Sequence, residues 1–209
     1  TTDGLDLLDS LPPYDSDQVM ALSKRLRREG YDAGLIAEAL TQLRLRERAL
    51  DKFGPFAQRM IFTKDGLEQA TRLSVGAFHA DRFRAAGATH IVDFGSGIGA
   101  DSMAFAALGF RSTAIEIDES TAAAAQLNLK PFPEVEVLNA DGFDSDLEAL
   151  GADAIWIDPA RRRDGRRLKN PEDWRPSLSA AIELATRFDS AGIKVAPGID
   201  YDALPQDAL

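Results

Sequence analysis

The sequence predicts a doubly wound, mainly parallel α/β sheet preceded by an all-helical region, residues 1–75 forming the helical part and residues 76–209 the sheet domain. Three observations carry this. After Gly87, short apolar runs rich in Val and Ile alternate with helical stretches. Those runs lack clean polar alternation, which suits parallel strands covered on both faces. The first run ends in a glycine-rich turn, Gly95-Ser96-Gly97-Ile98-Gly99, that leads into a helix starting near Ala100 or Asp101.

Taken in order, Val19, Leu22 and Leu26 fall at helical spacing with Gly30 as a stop. Asp32 is placed to cap a second helix through Leu35, Ile36, Ala39, Leu40 and Leu43, and Gly54-Pro55 interrupts the helix that contains Leu50 and Phe53. Thr63 opens another helix, expected to run through Leu67, Ala70, Leu73 and Phe78 toward Arg84. The expected strands are His90 to Phe94, Thr113 to Ile117, Val135 to Leu138, Ala154 to Ile157 and Ile193 to Ala196. There is no internal repeat and no low-complexity tract.

The chain has 209 residues and a formal net charge of -10 at pH 7. A surface that coats nucleic acid everywhere is thereby excluded, and any polyanion contact must come from a local basic patch. The absence of cysteine removes disulfides, thiolate metal sites and cysteine nucleophiles. No apolar run reaches membrane-spanning length, and the acidic, polar start Thr1-Thr2-Asp3-Gly4 is unlike a signal peptide, so cytoplasm is the default expectation. A start without Met is expected of a trimmed chain or a piece of a longer one. His79 and His90 lack a partner pattern for a metal site or a catalytic dyad, and no metal is expected.

The residues at the carboxyl ends of the expected strands carry the chemistry. Glycines at 95, 97 and 99 let the backbone turn tightly and approach a ligand, and a bare turn needs only one of them. The loop alone fits two cofactors, since Gly95 to Ala100 also satisfies the Gly-x-Gly-x-x-Ala pattern of dinucleotide sites. Glu116, ahead of Ile117 and Asp118, can accept the hydroxyls of a ribose, while Asp118 reads as the cap of the next helix. Asp141, Gly142 and Phe143 can offer a carboxylate and an aromatic edge to an adenine, and Asp158-Pro159 places a carboxylate and a fixed carbonyl at the fourth strand end. Four strand ends thus carry Asp93, Glu116, Asp141 and Asp158. Such a rim of acids suits a cationic sulfonium with an amino-acid tail, a ribose and an adenine, and disfavours a pyrophosphate.

From Thr63 to Gly198 these segments resemble the successive motifs of class I S-adenosylmethionine-dependent methyltransferases, a Rossmann-like fold. The resemblance implies S-adenosyl-L-methionine as cofactor. It puts Gly95, Gly97 and Gly99 near the methionine part, Glu116 on the ribose and Asp141 on the adenine, with Asp93, Ser96, Ile117, Gly142 and Asp158 in the same donor site. Thr63, Glu68 and Gln69 resemble the segment that closes over the donor in amino-group methyltransferases, where Asp158 and the carbonyl of Pro159 would be catalytic, accepting hydrogen bonds from the target amine.

A closer likeness, to a bacterial group that carries a THUMP-like domain after the catalytic one, rests on Leu67-Glu68-Gln69-Ala70-Thr71 and Asp158-Pro159-Ala160-Arg161-Arg162, and implies RNA as substrate. Two departures stand out. Ala160 and Arg161 replace the usual second proline and aromatic residue, leaving Phe143 or Trp174 to supply a stacking ring. The chain also stops soon after Ala196-Pro197-Gly198, so the sheet is expected to be truncated after its fifth strand.

Arg161, Arg162, Arg163, Arg166, Arg167 and Lys169 cluster just after Asp158 and are assigned to RNA contact, because arginines fork onto phosphates and stack on bases. The basic stretches Lys24 to Arg28 and Arg44 to Arg48 are diluted by Glu29, Glu38, Glu47 and Asp51 and read as solvated helix faces. Without a cysteine for a pyrimidine C5 adduct, a base nitrogen is the expected acceptor, with oxygen as the alternative. The competing expectations are a small-molecule or protein methyltransferase on the same fold and a nicotinamide-dependent oxidoreductase.

Overall fold

Five parallel strands form one sheet in the order β3-β2-β1-β4-β7, with β1 His90–Phe94, β2 Arg111–Glu116, β3 Val135–Asn139, β4 Ala154–Ile157 and β7 Ser190–Ile193. Between β4 and β7 the chain forms a small antiparallel hairpin of β5 Arg162–Arg163 and β6 Arg166–Arg167. This computed structural model describes residues 2–163 and 166–206, without the side chains of Thr2, Arg162 and Arg163. The strand order reverses between β1 and β4, and the crevice outside their carboxyl ends is where open α/β sheets take ligands. Phe94 lies level with Ile115 of β2 and Ile157 of β4, so these three strands end together at that crevice.

The helices are α1 Thr2–Ser10, α2 Val19–Arg28, α3 Ala33–Phe53, α4 Lys64–Gln69, α5 Leu73–Ala85, α6 Ala100–Ala107, α7 Glu119–Leu129 and α8 Leu178–Ala185. Side chains alternate across each strand and fill both faces of the sheet. On one face Val92, Phe94, Ile115, Ile155 and Ile157 pack with Leu147 and with Ala181 and Leu184 of α8. On the other, Ile91, Ala154 and Trp156 meet Ala80 and Phe83 of α5 and Phe105 of α6, while Ala114 packs with α7 and with Leu45, Ala49 and Phe53 of α3. The long helix α3 therefore shares the core of the sheet, and a smaller cluster of Leu7, Leu26, Ile36 and Ala39 joins α1, α2 and α3.

Asp32 caps α3 by accepting from the N–H groups of Gly34 and Leu35, and Gly54 ends it at φ 55°. The structure departs from the expectation in four places. The helix opened by Thr63 is broken at Ala70-Thr71-Arg72, because Ala70 is extended at ψ 139° and Thr71 and the neighbouring carbonyls turn to partners outside the helix. The fifth strand of the sheet is Ser190–Ile193 rather than Ile193 to Ala196, since pairing with the short β4 ends where Ile193 meets Ile157. The segment joining β3 to β4 has no helix, and Leu147 covers the core there. Finally, α1 lies within the helical part expected over residues 1–75 but ahead of Asp17, where the helical spacing begins.

Gly99 caps α6 at φ +84° with the position of a Cβ 2.7 Å from Leu129, whereas Gly109 at φ +90° has nothing within 4 Å. Gly99→Ala is expected to cost about 2 to 4 kcal/mol, combining the left-handed backbone with overpacking. Gly109→Ala should show only the backbone cost of about 1 to 2 kcal/mol. Urea unfolding of the two variants measures the difference.

Candidate functional site

The loop after β1 is built by positive φ at Gly95 (79°), Gly97 (57°) and Gly99 (84°). Four of its N–H donors have acceptors within the fold. The N–H groups of Gly95 and Ser96 donate to the carbonyl of Ile115 at 2.9 and 3.0 Å, and that of Gly99 donates to Ser96 O at 3.0 Å. The Gly97 N–H goes to Glu116 Oε2 at 2.9 Å. In the first turn of α6, Ser102 donates from both N (3.0 Å) and Oγ (2.5 Å) to Asp93 Oδ2. Carboxylates inside the fold thus occupy donors that a glycine loop and helix start would offer to an anion.

Along the crevice runs a cleft of about 1210 Å³, with Thr63, Gln69, Thr71 and Phe143 among its lining residues. Of the expected site residues it brings together Gln69, Asp93, Gly95, Ser96, Gly97, Glu116, Ile117, Asp141, Gly142, Asp158, Pro159, Arg161 and Arg167. Gly99 lies below the lining, against Leu129, and Arg166 is exposed on the hairpin outside the cleft wall. Arg162 and Arg163 fall where side chains lie outside the described residues.

Glu116 Oε1 accepts from Asp118 N at 2.8 Å, so both of its oxygens are oriented by backbone donors. Asp118 caps α7 through Thr121 N at 2.8 Å. Asp141 forms a turn by accepting from Phe143 N at 3.0 Å, and Gly142 has no room for a Cβ, which would sit 2.3 Å from the Phe94 ring. The Phe143 ring meets Phe94 edge-on at 5.1 Å and is 54% exposed. The Ser96 hydroxyl is buried and has no partner among the described residues.

At the switch point three carboxylates converge with one lysine. Lys194 Nζ lies 2.6 Å from Asp158 Oδ2 and 2.9 Å from Thr71 Oγ1. Thr71 in turn donates to Asp101 Oδ2 at 2.6 Å, and His79 Nδ1 lies 2.8 Å from Asp101 Oδ1 with its ring stacked on Trp156. Asp93 is 1% exposed. Burial, then the charge of Asp101, push its carboxyl up to about 8, with Asp158 adding and the Ser102 hydrogen bonds opposing. Burial also raises Asp158, against the lowering effect of Lys194.

The loop after β4 is pinned by Ala160, which exchanges backbone hydrogen bonds with Arg175 at 2.7 and 3.1 Å. Arg161 lies over the Trp174 ring at 5.9 Å, and its Nη1 is buried without a partner among the described residues. Trp174 is only 4% exposed and donates from Nε1 to Leu168 O. It is therefore a seat for Arg161 rather than a stacking surface, and Phe143 is the exposed ring of the two.

Sequence reading missed Lys194, Asp101 and the His79 partner. Lys194 had a signal, a charge directly following the apolar end of a strand at Ile193. The pairing of His79 with Asp101 had none, because it joins two helices across 22 positions.

Residues 1–49 match the family described as Domain of unknown function (DUF8688). Two uncharacterized S-adenosylmethionine-dependent methyltransferases of Mycobacterium tuberculosis, from strains CDC 1551 / Oshkosh and ATCC 25618 / H37Rv, are each 33% identical over 165 residues, 76% of this chain and 44% of the relative. The chain thus spans less than half the length of these curated relatives. Among solved structures, a candidate methyltransferase from Porphyromonas gingivalis W83 is similar with a TM-score of 0.62 at 22% identity, over 87% of this chain and 49% of that one. The chain has the Rossmann-like fold of class I methyltransferases.

The raised Asp93 carboxyl has a consequence for stability. The folded state holds this proton up to about pH 8, whereas the unfolded chain releases it near pH 4. The contribution is therefore complete below the unfolded value and lost as pH rises through the folded one. Asp93→Asn, which keeps an acceptor for Ser102, is expected to lose less stability than the native chain between pH 5 and pH 8. Urea midpoints at the two pH values check this, and equal slopes would place the titration elsewhere.

Proposed function

We propose that this cleft binds S-adenosyl-L-methionine and that the chain transfers a methyl group from it to a nitrogen of an RNA base. One observation carries the choice of donor: the N–H groups of Gly95, Ser96, Gly97, Gly99 and Ser102 already have acceptors inside the fold, those of Gly97 and Ser102 being Glu116 and Asp93. A dinucleotide pyrophosphate would need such donors free and would face the charges of Asp101 and Asp158. A sulfonium is favoured by the same acids. The names of the curated relatives support this reading.

The residues present fit the donor. Glu116, held by Gly97 and Asp118, would take the ribose; Asp141, Gly142, Ile117 and Phe143 would frame the adenine; Gln69, Asp93, Gly95, Ser96, Gly97 and Asp158 would surround the methionine part, where the unpartnered Ser96 hydroxyl still seeks a hydrogen bond. Bound there, the donor supplies a methyl group already activated by its sulfonium. The protein aligns the acceptor and keeps water away. Asp158 Oδ2 is engaged by Lys194, so Asp158 acts with the Pro159 carbonyl as an orienting acceptor for the incoming N–H rather than as a strong base. No group of three or more His, Cys, Asp or Glu among the described residues could hold a metal ion.

RNA is supported by the hairpin after Asp158. The backbones of Arg162 and Arg163 pair with those of Arg167 and Arg166, and of these Arg166 and Arg167 are exposed with Arg167 lining the cleft, in an otherwise acidic chain. Arg161, seated on Trp174 with a donor that has no partner among the described residues, extends that charge into the cleft. The likeness to the bacterial group with a THUMP-like domain belongs to the same proposal, as does a cytoplasmic setting; no helix among the described residues is long and apolar enough to cross a membrane.

Calorimetry separates the donors: S-adenosylhomocysteine is expected to bind and NAD to give no heat, and tight NAD binding would overturn the reading. For the acceptor, replacing Arg161, Arg166 and Arg167 by Ser should weaken RNA binding and reduce the salt slope by about 2, while S-adenosylhomocysteine still binds. An unchanged slope would mean that the hairpin does not touch phosphate.

A further inference from the structure

The wall of the cleft formed by Thr63 to Thr71 is held from two sides by two lysines. From outside, Lys52 of α3 donates to the carbonyls of Leu67 (2.8 Å), Glu68 (2.9 Å) and Ala70 (2.8 Å), satisfying the carboxyl end of α4. On another side, Lys194 donates to Thr71 Oγ1 and to Asp158 Oδ2, joining that wall to the end of β4. Lys194 is itself fixed at the sheet, its N–H closing on Ile157 O at 2.8 Å. Thr71 is 6% exposed, and its hydroxyl both receives from Lys194 and donates to Asp101, so it has no rotamer freedom left to lose. The two ammonium groups are close enough that the Lys194 charge, after burial, holds Lys52 below the usual lysine range.

This pairing explains why the helix opened by Thr63 stops. Continuing it through Thr71 would turn the hydroxyl away from Lys194 and Asp101. The break is what lets one amine span both walls.

We propose that Lys194 is a positioning residue, a latch that holds the Thr63 to Thr71 wall against the β4 end and so sets the affinity of the cleft for its donor while the Lys194–Asp158 pair is ionised. This rests on the donor reading above. The charged groups facing Asp158 are Asp93 from β1, Asp101 from α6, Arg161 from the segment after β4 and Lys194 from the end of β7; Lys52 of α3 faces Lys194, and His79 of α5 faces Asp101. Since burial raises the Asp158 carboxyl above the usual carboxylate range, the pair loses its charge as pH falls through that raised value. The latch weakens on the acid side.

The test compares the native chain with Lys194→Met, Lys194→Arg and Thr71→Val. Hydrogen exchange in the ligand-free protein follows the amides of Leu67 and Ala70, which donate to Thr63 O and Gly66 O at 2.9 Å. Both are expected to exchange roughly tenfold faster in Lys194→Met and in Thr71→Val, with the amides of β1 unchanged. Calorimetry with S-adenosylhomocysteine over a descending pH series should show affinity falling with pH in the native chain. In Lys194→Met it should be weaker at pH 7 by roughly tenfold and flatter across the range, and Lys194→Arg should restore both. Unchanged exchange at Leu67 and Ala70 overturns the latch, and so does an unaltered affinity and pH profile in Lys194→Met. If the native chain binds no S-adenosylhomocysteine, the donor reading falls, and the exchange rates alone decide whether the latch exists.

Discussion

The closure of the glycine loop on its own fold governs what this cleft can hold. A backbone that turns three times through positive φ exposes a row of N–H groups, and exposed N–H groups attract anions. Here Ile115 O, Ser96 O and Glu116 accept from the loop, and Asp93 accepts from Ser102 at the start of α6, before any ligand arrives. Glu116 and Asp93 stand at or near the ends of adjacent strands, so the parallel register that levels Phe94 with Ile115 delivers one carboxylate to the loop and the other to the helix that follows it. The sheet and the chemistry of the site are one arrangement.

The same arrangement creates an electrostatic problem that the fold solves locally. Asp93, Asp101 and Asp158 gather where the dielectric is low, and isolated buried charges there are costly. Three devices relieve them. Asp93 retains a proton to about pH 8, Lys194 neutralises Asp158, and Thr71 and His79 satisfy Asp101. Each device draws on a different element, so α5, α6, β1, β4, β7 and the turn at Thr71 are bound together around the switch point. The break between α4 and α5 belongs to this solution.

Much of this was legible in the sequence, because local chemistry specified it. The runs His90 to Phe94 and Ala154 to Ile157 became strands at those bounds, and Asp32, Thr63 and Asp118 cap the helices they precede. The acids at the strand ends were visible since each follows an apolar run. Features that depend on long-range pairing were hidden. The split between α4 and α5 needs Lys194, which lies 123 positions from Thr71. The fifth strand is shifted because β4 dictates its register, and Trp174 loses its place as a stacking ring because only the folded chain seats Arg161 upon it. Pairing between distant segments decided each of these cases, and such pairing exists only in the assembled fold.

If a cleft saturated with internal carboxylates serves methyl transfer to RNA, the full-length protein should move label from methyl-labelled S-adenosylmethionine to total RNA, as read by nucleoside analysis. Label is expected in a nitrogen-methylated nucleoside and should be lost on Asp158→Ala. Label confined to a carbon of a pyrimidine, or RNA that stays unlabelled by a protein shown to bind the donor, would contradict it.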